Sequence, residues 1–492
     1  MRQASRPATA VGAFQAVCDV GEFACESGQR GVSSSPMAAA SEVTPLADGP
    51  EQRVGYARWR VLFLLCSMSF VLYLDRVCIS QAIAPIGEQF GLSNTQKSLV
   101  LMAFTLAYGL FEMPTGHWGD RYGARRVLTR VVVWWSIFTM LTAGALGFST
   151  LVLIRFLFGA GEAGAFPNAA RIMATWFPMR ERGVAQAAFL ASSLLGGTIA
   201  PVAAAYLIGQ WGWRWPFIVF GLLGWVWALI FFWWFRDDPG EHSAVNAAEL
   251  RHIKSDRAPP RVSSSIPWSL VFRHRTIWLL GLIITCGAFN SYLYFSWYSN
   301  YLQSARGVSN ELSGWLSGMV LAGGALGQLA GGSFADWVRP RLAGWMRRRK
   351  FVGSACYASA AIVLLVSVRC QDPAASAGFA ALSCLLMFSS QSIWWSCTTD
   401  VSGRHVGSLF GLANGLGVIG AMGSQFFFGA FTDWRKTNGF EGRLQWDPAM
   451  YVVAGVLLFG ATCWLFVNPV RTVEGEELEP SEKAADGDSG QI

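Results

Sequence analysis

"GHWGDRYGARR", residues 116–126, is a short basic stretch set between two apolar runs. Gly116 allows two helices to approach closely. Asp120 can cap or pair at a helix end. Arg121, Arg125 and Arg126 can make charge-assisted bonds to it and to a neighbouring helix C-terminus. A loop that only sets membrane topology needs the positive charges. It does not need the full Gly-x-x-x-Asp-Arg-x-Gly-x-Arg-Arg spacing that runs from Gly116 through Gly123 to Arg126.

Outward from this stretch, apolar runs of about 20 residues recur along the chain, each long enough to cross a bilayer as a helix. Hydrophobic residues make up 53% of the sequence and charged residues 14%, with a mean hydropathy of +0.36. A soluble domain could not hide that many runs, and a β-barrel needs alternation rather than continuity. The class is therefore an all-α integral membrane protein in contact with a lipid bilayer. The net charge of +7 sits in one set of loops, which argues against a nucleic-acid partner. The ten cysteines are scattered singly, and neither a metal site nor a cofactor is expected. The five histidines lie in or near loops without a nucleophile–base set, so no enzyme activity is expected.

About twelve spans of membrane length can be laid out between residues 59 and 470. Their approximate positions are 59–82, 96–117, 127–147, 150–175, 183–208, 214–235, 276–302, 312–335, 351–369, 375–399, 406–431 and 449–470. Residues 1–58 form an Ala-, Ser-, Gly- and Pro-rich tail expected to be disordered, with Met37 as an alternative start. Residues 59–235 and 276–472 are read as two six-helix bundles joined by the polar loop 236–275, and 473–492 as a disordered acidic tail. "GSFADWVRPR" (332–341) echoes the 116–126 stretch one bundle later, and such repeats are a transporter architecture. Lys and Arg crowd the loops on the 116–126 side, so both termini are expected in the cytoplasm and the chain in the inner or plasma membrane.

Within this apolar frame, "RFLFGAGEAGAFP" (155–167) buries two charges. Arg155 and Glu162 are about two helical turns apart and share one face. A charge near mid-membrane costs roughly 2.5–3.5 kcal/mol even on lenient insertion scales, so each needs a polar cavity or a partner. A salt bridge that only holds helices together would satisfy this. A central site is favoured because Asp75 and Arg76, in "YLDRVCIS" (73–80), repeat the feature in the first span. The planar fork of Arg suits a carboxylate, and an acid in a partly dry cavity can carry a proton.

The 116–126 stretch, its echo and the span count resemble the major facilitator superfamily. "YLDRVCIS", "RFLFGAGEAGAFPNAARIMATWFPMRERG" (155–183), "GWRWPFIVFGLLGWVWA" (212–228) and "WYSNYL" (297–302) together resemble its anion:cation symporter family. That family includes proton-coupled carriers of hexuronates, aldonates and glucarate. The resemblance implies protonation at Asp75 and Glu162, and substrate binding or charge balance at Arg76 and Arg155. It implies a gating role for Gly116, Asp120, Arg121, Gly123, Arg125 and Arg126. Tyr73, Tyr108, Asn290 and Asn414 are further substrate-binding candidates, with helix-packing hydrogen bonds as the alternative for the two amides. Glu112 stands where the family commonly has Gln. A structural pair with Arg171 is preferred there over a third proton site. Val418 stands where many relatives have a second Asn, which leaves the hydroxyl contacts of a sugar open. The implied function is proton symport of a small organic anion, a hexuronate, aldonate or aldarate first, by a monomer. An anion exchanger and a non-transporting membrane sensor are the alternatives.

Overall fold

The computed structural model describes residues 53–255, 268–341, 345–468 and 472–474. Most of both expected tails, Met37 and the middle of the 236–275 loop lie outside these. Among the described residues there are helices and no strands. The first half holds α1 (Ala57–Phe90), α2 (Asn94–Tyr122), α3 (Ala124–Ala143), α4 (Phe148–Glu162), α5 (Ala165–Trp176), α6 (Met179–Trp211) and α7 (Trp215–Trp234). The short α8 (Ala247–Lys254) and α9 (Trp268–Arg273) follow. The second half holds α10 (Arg275–Tyr292), a π-helical turn (Leu293–Trp297), α11 (Tyr298–Arg306), α12 (Asn310–Val338), α13 (Trp345–Arg369), α14 (Pro373–Ser389), α15 (Gln391–Ser402), α16 (Val406–Thr437) and α17 (Gly442–Phe466).

Among the described residues, 10 helical segments are long and apolar enough to cross a membrane. Two more, α2 and α12, are 29 residues each. Three crossings are interrupted. α4 hands over to α5 at Gly164, whose φ of +93° is the left-handed region open to glycine, and whose missing Cβ would lie 2.4 Å from the Thr115 methyl. α10 continues through the π-turn into α11, and α14 is followed by α15.

Helix ends follow their sequence signals. Ser93 and Gln96 form a reciprocal capping box at the start of α2. Asp372 accepts the Ala375 N–H at 2.7 Å at the start of α14, with Pro373 in the first turn.

The packing of the second half repeats that of the first. α1 lies against α6 and α7, α3 against α7, and both α2 and α3 against α4. Correspondingly, α10 lies against α16 and α17, α13 against α17, and both α12 and α13 against α14. Between the halves, α2 meets α16 and α6 meets α12. These two contacts exchange under the same repeat. Small residues set the distance, since a Cβ on Gly318 of α12 would come within 2.9 Å of the Thr198 carbonyl of α6.

At the end opposite residues 116–126, polar bonds tie the halves together. Gln81 donates to the Asn310 carbonyl and side chain at 2.9 and 2.8 Å and to Ser313 at 2.9 Å. Its own carbonyl accepts from Ser299 at 2.6 Å. Asp433 of α16 accepts the Asn94 and Thr95 N–H groups at the start of α2 at 3.0 and 2.7 Å. At the 116–126 end a cavity of about 710 Å³ separates the halves. The molecule is closed at one end and open at the other.

Candidate functional site

The site lies where α1, α2, α4, α10, the π-turn and α16 converge around a cavity of about 100 Å³. Arg76 and Arg155 both line it, with Tyr73, Phe104, Tyr292, Ser296 and Gln425. The Arg76 guanidinium lies 5.1, 5.3 and 4.8 Å from the ring centres of Tyr73, Phe104 and Tyr108. The Arg155 guanidinium lies 5.1 Å from Phe104 and 4.4 Å from Phe158. Aromatic faces thus hold both cations in place of water.

Their counter-charges differ. Arg76 donates from Nε to Glu162 Oε1 at 2.8 Å and also bonds it through Nη2, joining α1 to the end of α4. Arg155 is 2% exposed, and no carboxylate among the described residues lies within ion-pair distance of it. Among the described residues its Nε has no hydrogen-bond partner, and neither does Glu162 Oε2. The shared helix face of Arg155 and Glu162 does not make them partners: Glu162 reaches across to α1 instead. Two nitrogens of the Arg76 guanidinium converge on Glu162 Oε1, a contact that a neighbour two turns along one rigid rod does not make here.

Asp75 points away from Arg76. It is 1% exposed, the Trp135 indole and the Thr139 hydroxyl of α3 face it, and among the described residues neither of its carboxyl oxygens has a hydrogen-bond partner at normal geometry. The Trp135 indole N–H is likewise unpartnered.

The remaining candidates separate. Tyr73 lines the cavity. Tyr108 donates to Glu112 Oε1 at 3.2 Å, and Asn414 of α16 donates to Glu112 Oε2 at 2.8 Å. Glu112 therefore bridges the two halves rather than pairing with Arg171, which is a correction to the expected pairing. Glu112 and Asn414 line the 710 Å³ cavity, not the central one. Asn290 is fully buried in α10 with its amide unpartnered, and it lines neither cavity.

Three residues of the central cavity carry no signal that sequence reasoning had used: Tyr292, Ser296 and Gln425. Thr105 donates to Gln425 at 2.9 Å and Gln425 to Ser296 at 3.1 Å, a polar chain from α2 through α16 to the π-turn. The readable signal was the lone amide of Gln425 in "GSQFFFGAF".

In the 116–126 stretch, a Cβ on Gly116 would lie 3.4 Å from Pro167, so α2 and α5 touch there. Gly123 has φ +84° and abuts Asp237. Arg125 bonds to residues beyond its own stretch. Its backbone N–H donates to Asp237 at 2.8 Å, and its guanidinium donates from Nε to the Phe232 carbonyl at 3.0 Å, at the C-terminus of α7. Arg121 lies 5.5 Å from the Tyr122 ring, and Arg126 is exposed. The side chain of Asp120 lies outside what is described.

A model of the family described as Major Facilitator Superfamily matches residues 65–425. The probable sulfoacetate transporter SauU of Cupriavidus necator is 31% identical over 433 residues, covering 87% of this chain and 97% of that protein. The probable L-galactonate transporter of Escherichia coli is 28% identical over 447 residues, covering 88% and 95%. Among solved structures, a bacterial homolog of the human lysosomal transporter Spinster, inward-facing and occupied, superposes with a TM-score of 0.70. It shares 20% identity and covers 84% of this chain and 97% of that one.

Proposed function

We propose that this chain, a multi-pass membrane protein that belongs to the major facilitator superfamily and is similar to probable organic-anion transporters, carries a small organic anion, a sugar acid first, in symport with protons. The observation that carries this reading is that two guanidinium groups converge on one cavity while, among the described residues, only one of them touches a carboxylate. A bound carboxylate supplies the missing charge at Arg155.

Glu162 then acts as the exchangeable partner of Arg76. When Glu162 is protonated it releases Arg76, and both cations can hold the anion. When Glu162 is deprotonated it reclaims Arg76 and weakens the hold. An unpartnered buried carboxylate costs several kcal/mol while a neutral carboxyl costs far less, so Asp75 is read as carrying a proton in this conformation. Asn290, buried away from both cavities, is assigned to packing, and Asn414 to the wider vestibule. The two halves, 59–235 and 276–472, rock about the central cavity. The bonds of Gln81 and Asp433 form the closed gate, and residues 116–126 lie at the open, cytoplasmic end, with the protein in the inner or plasma membrane as a monomer.

One specific observation favours a shorter anion as the second reading: the central cavity is small. The test is uptake into proteoliposomes of L-galactonate and of sulfoacetate under an imposed pH gradient, acid outside. Accumulation of one above equilibrium supports proton symport and identifies the class. Exchange without accumulation would make the protein an exchanger, and binding without flux would make it a sensor.

A further inference from the structure

On the lipid-facing side of the first half, α2, α3 and α4 leave a groove of about 230 Å³ that belongs to neither cavity. Its walls are apolar and aromatic, with Trp118 of α2 and Trp134 of α3 both exposed at 45% and 46%. Trp134 is fixed there: its indole N–H donates to the Leu157 carbonyl of α4 at 2.9 Å, and only glycine at 161 leaves room for its ring. Arg130 lines the same groove and is exposed. It lies six residues into α3, about 9 Å along the helix axis, and no hydrogen bond or ion pair to it is found among the described residues. Trp118 lies four residues from the end of α2, about 6 Å along its axis.

An unpaired guanidinium at that depth on a lipid-facing helix is unfavourable unless it reaches the interface or meets an anion. The groove below it fits an acyl chain, and the neighbouring indole suits the headgroup level. We propose that this groove binds one anionic phospholipid, its phosphate on Arg130 and a chain between Trp118 and Trp134. The positive charge selects an anionic headgroup over a zwitterionic one, and the apolar walls select a lipid over a soluble phosphate ester.

The test is native mass spectrometry of the full-length protein released from micelles containing equimolar phosphatidylglycerol and phosphatidylcholine. The wild type is expected to retain phosphatidylglycerol preferentially, and Arg130→Gln to lose about fivefold of that preference, the effect of one basic residue at an anionic surface. Arg130→Lys should keep most of it. Ala160→Leu, which fills the groove and leaves the arginine, should lose it too, and this second variant decides the matter if Arg130→Gln does not fold. Glycerol phosphate in excess should not compete. Unchanged preference in both Arg130→Gln and Ala160→Leu, or displacement by glycerol phosphate, overturns the proposal.

Discussion

Arg76 and Arg155 are the same residue type, at similar depth, on the same cavity, and wrapped by overlapping aromatic rings. One is bound by Glu162 and the other meets no carboxylate among the described residues. The difference teaches where an anion is wanted. A paired cation in a sheltered site is near neutrality. An unpaired one imposes a standing demand for negative charge, and substrate binding can meet it.

The comparison breaks most plainly at Arg155. Arg155→Gln removes the unpaired charge, so substrate affinity should fall about a hundredfold, near 3 kcal/mol for charge-assisted bonds in a buried site. Isothermal titration or ligand-dependent thermal shift of purified protein measures this. An affinity within twofold of wild type would mean the anion is held elsewhere. Arg76→Lys is the gentler probe. It keeps the charge but loses the fork and the aromatic stacking, so affinity should fall by about 1 kcal/mol. The pH profile of binding should also move, because Glu162 loses one of the two hydrogen bonds that Arg76 gives it. An unmoved profile would show that Glu162 and Arg76 do not exchange.

The architecture was legible because it rests on long-period signals. Span length, the clustering of Lys and Arg, and the recurrence of the 116–126 pattern all survive in a bare sequence, and the helices overlap the expected spans with ends that differ by up to eight residues. The deep charges were legible for a thermodynamic reason, since hydrocarbon tolerates none without a purpose. Partnership was not legible. Arg155 and Glu162 share a helix face, yet Glu162 meets Arg76 from α1, and Glu112 meets Asn414 from the other half rather than Arg171. Such pairings depend on how rods are placed side by side, which no single helix encodes. Gln425 shows a missed signal of the readable kind, a lone amide in an apolar helix.

Two smaller effects sharpen the contrast between the cavity and the loops that surround it. Gly123→Ala puts a side chain at φ +84° with its Cβ 2.8 Å from Asp237. It should destabilise the protein by about 1–3 kcal/mol, seen as a lower melting temperature, with substrate affinity unchanged. A loss of affinity without a loss of stability would tie this loop to the site itself. The smallest effect concerns His242, outside the spans between α7 and α8. Burial holds its pKa below the ordinary value, and its ring accepts the Ala244 N–H at 3.1 Å. The folded state therefore prefers the neutral ring. Stability is full above the unfolded pKa of about 6.5 and falls as the pH drops through the lower folded value. His242→Gln should show a shallower acid-side loss in melting temperature than wild type, and an identical slope would remove His242 from that account.

The central claim is that Glu162 and the substrate carboxylate take turns as the counter-charge in one cavity. Glu162→Gln tests it most directly, because glutamine imitates the protonated acid and cannot reclaim Arg76. In proteoliposomes this variant should still exchange internal for external anion, with binding that no longer depends on pH near neutrality, and should fail to accumulate it under a pH gradient. Accumulation at the wild-type level by Glu162→Gln would contradict the account.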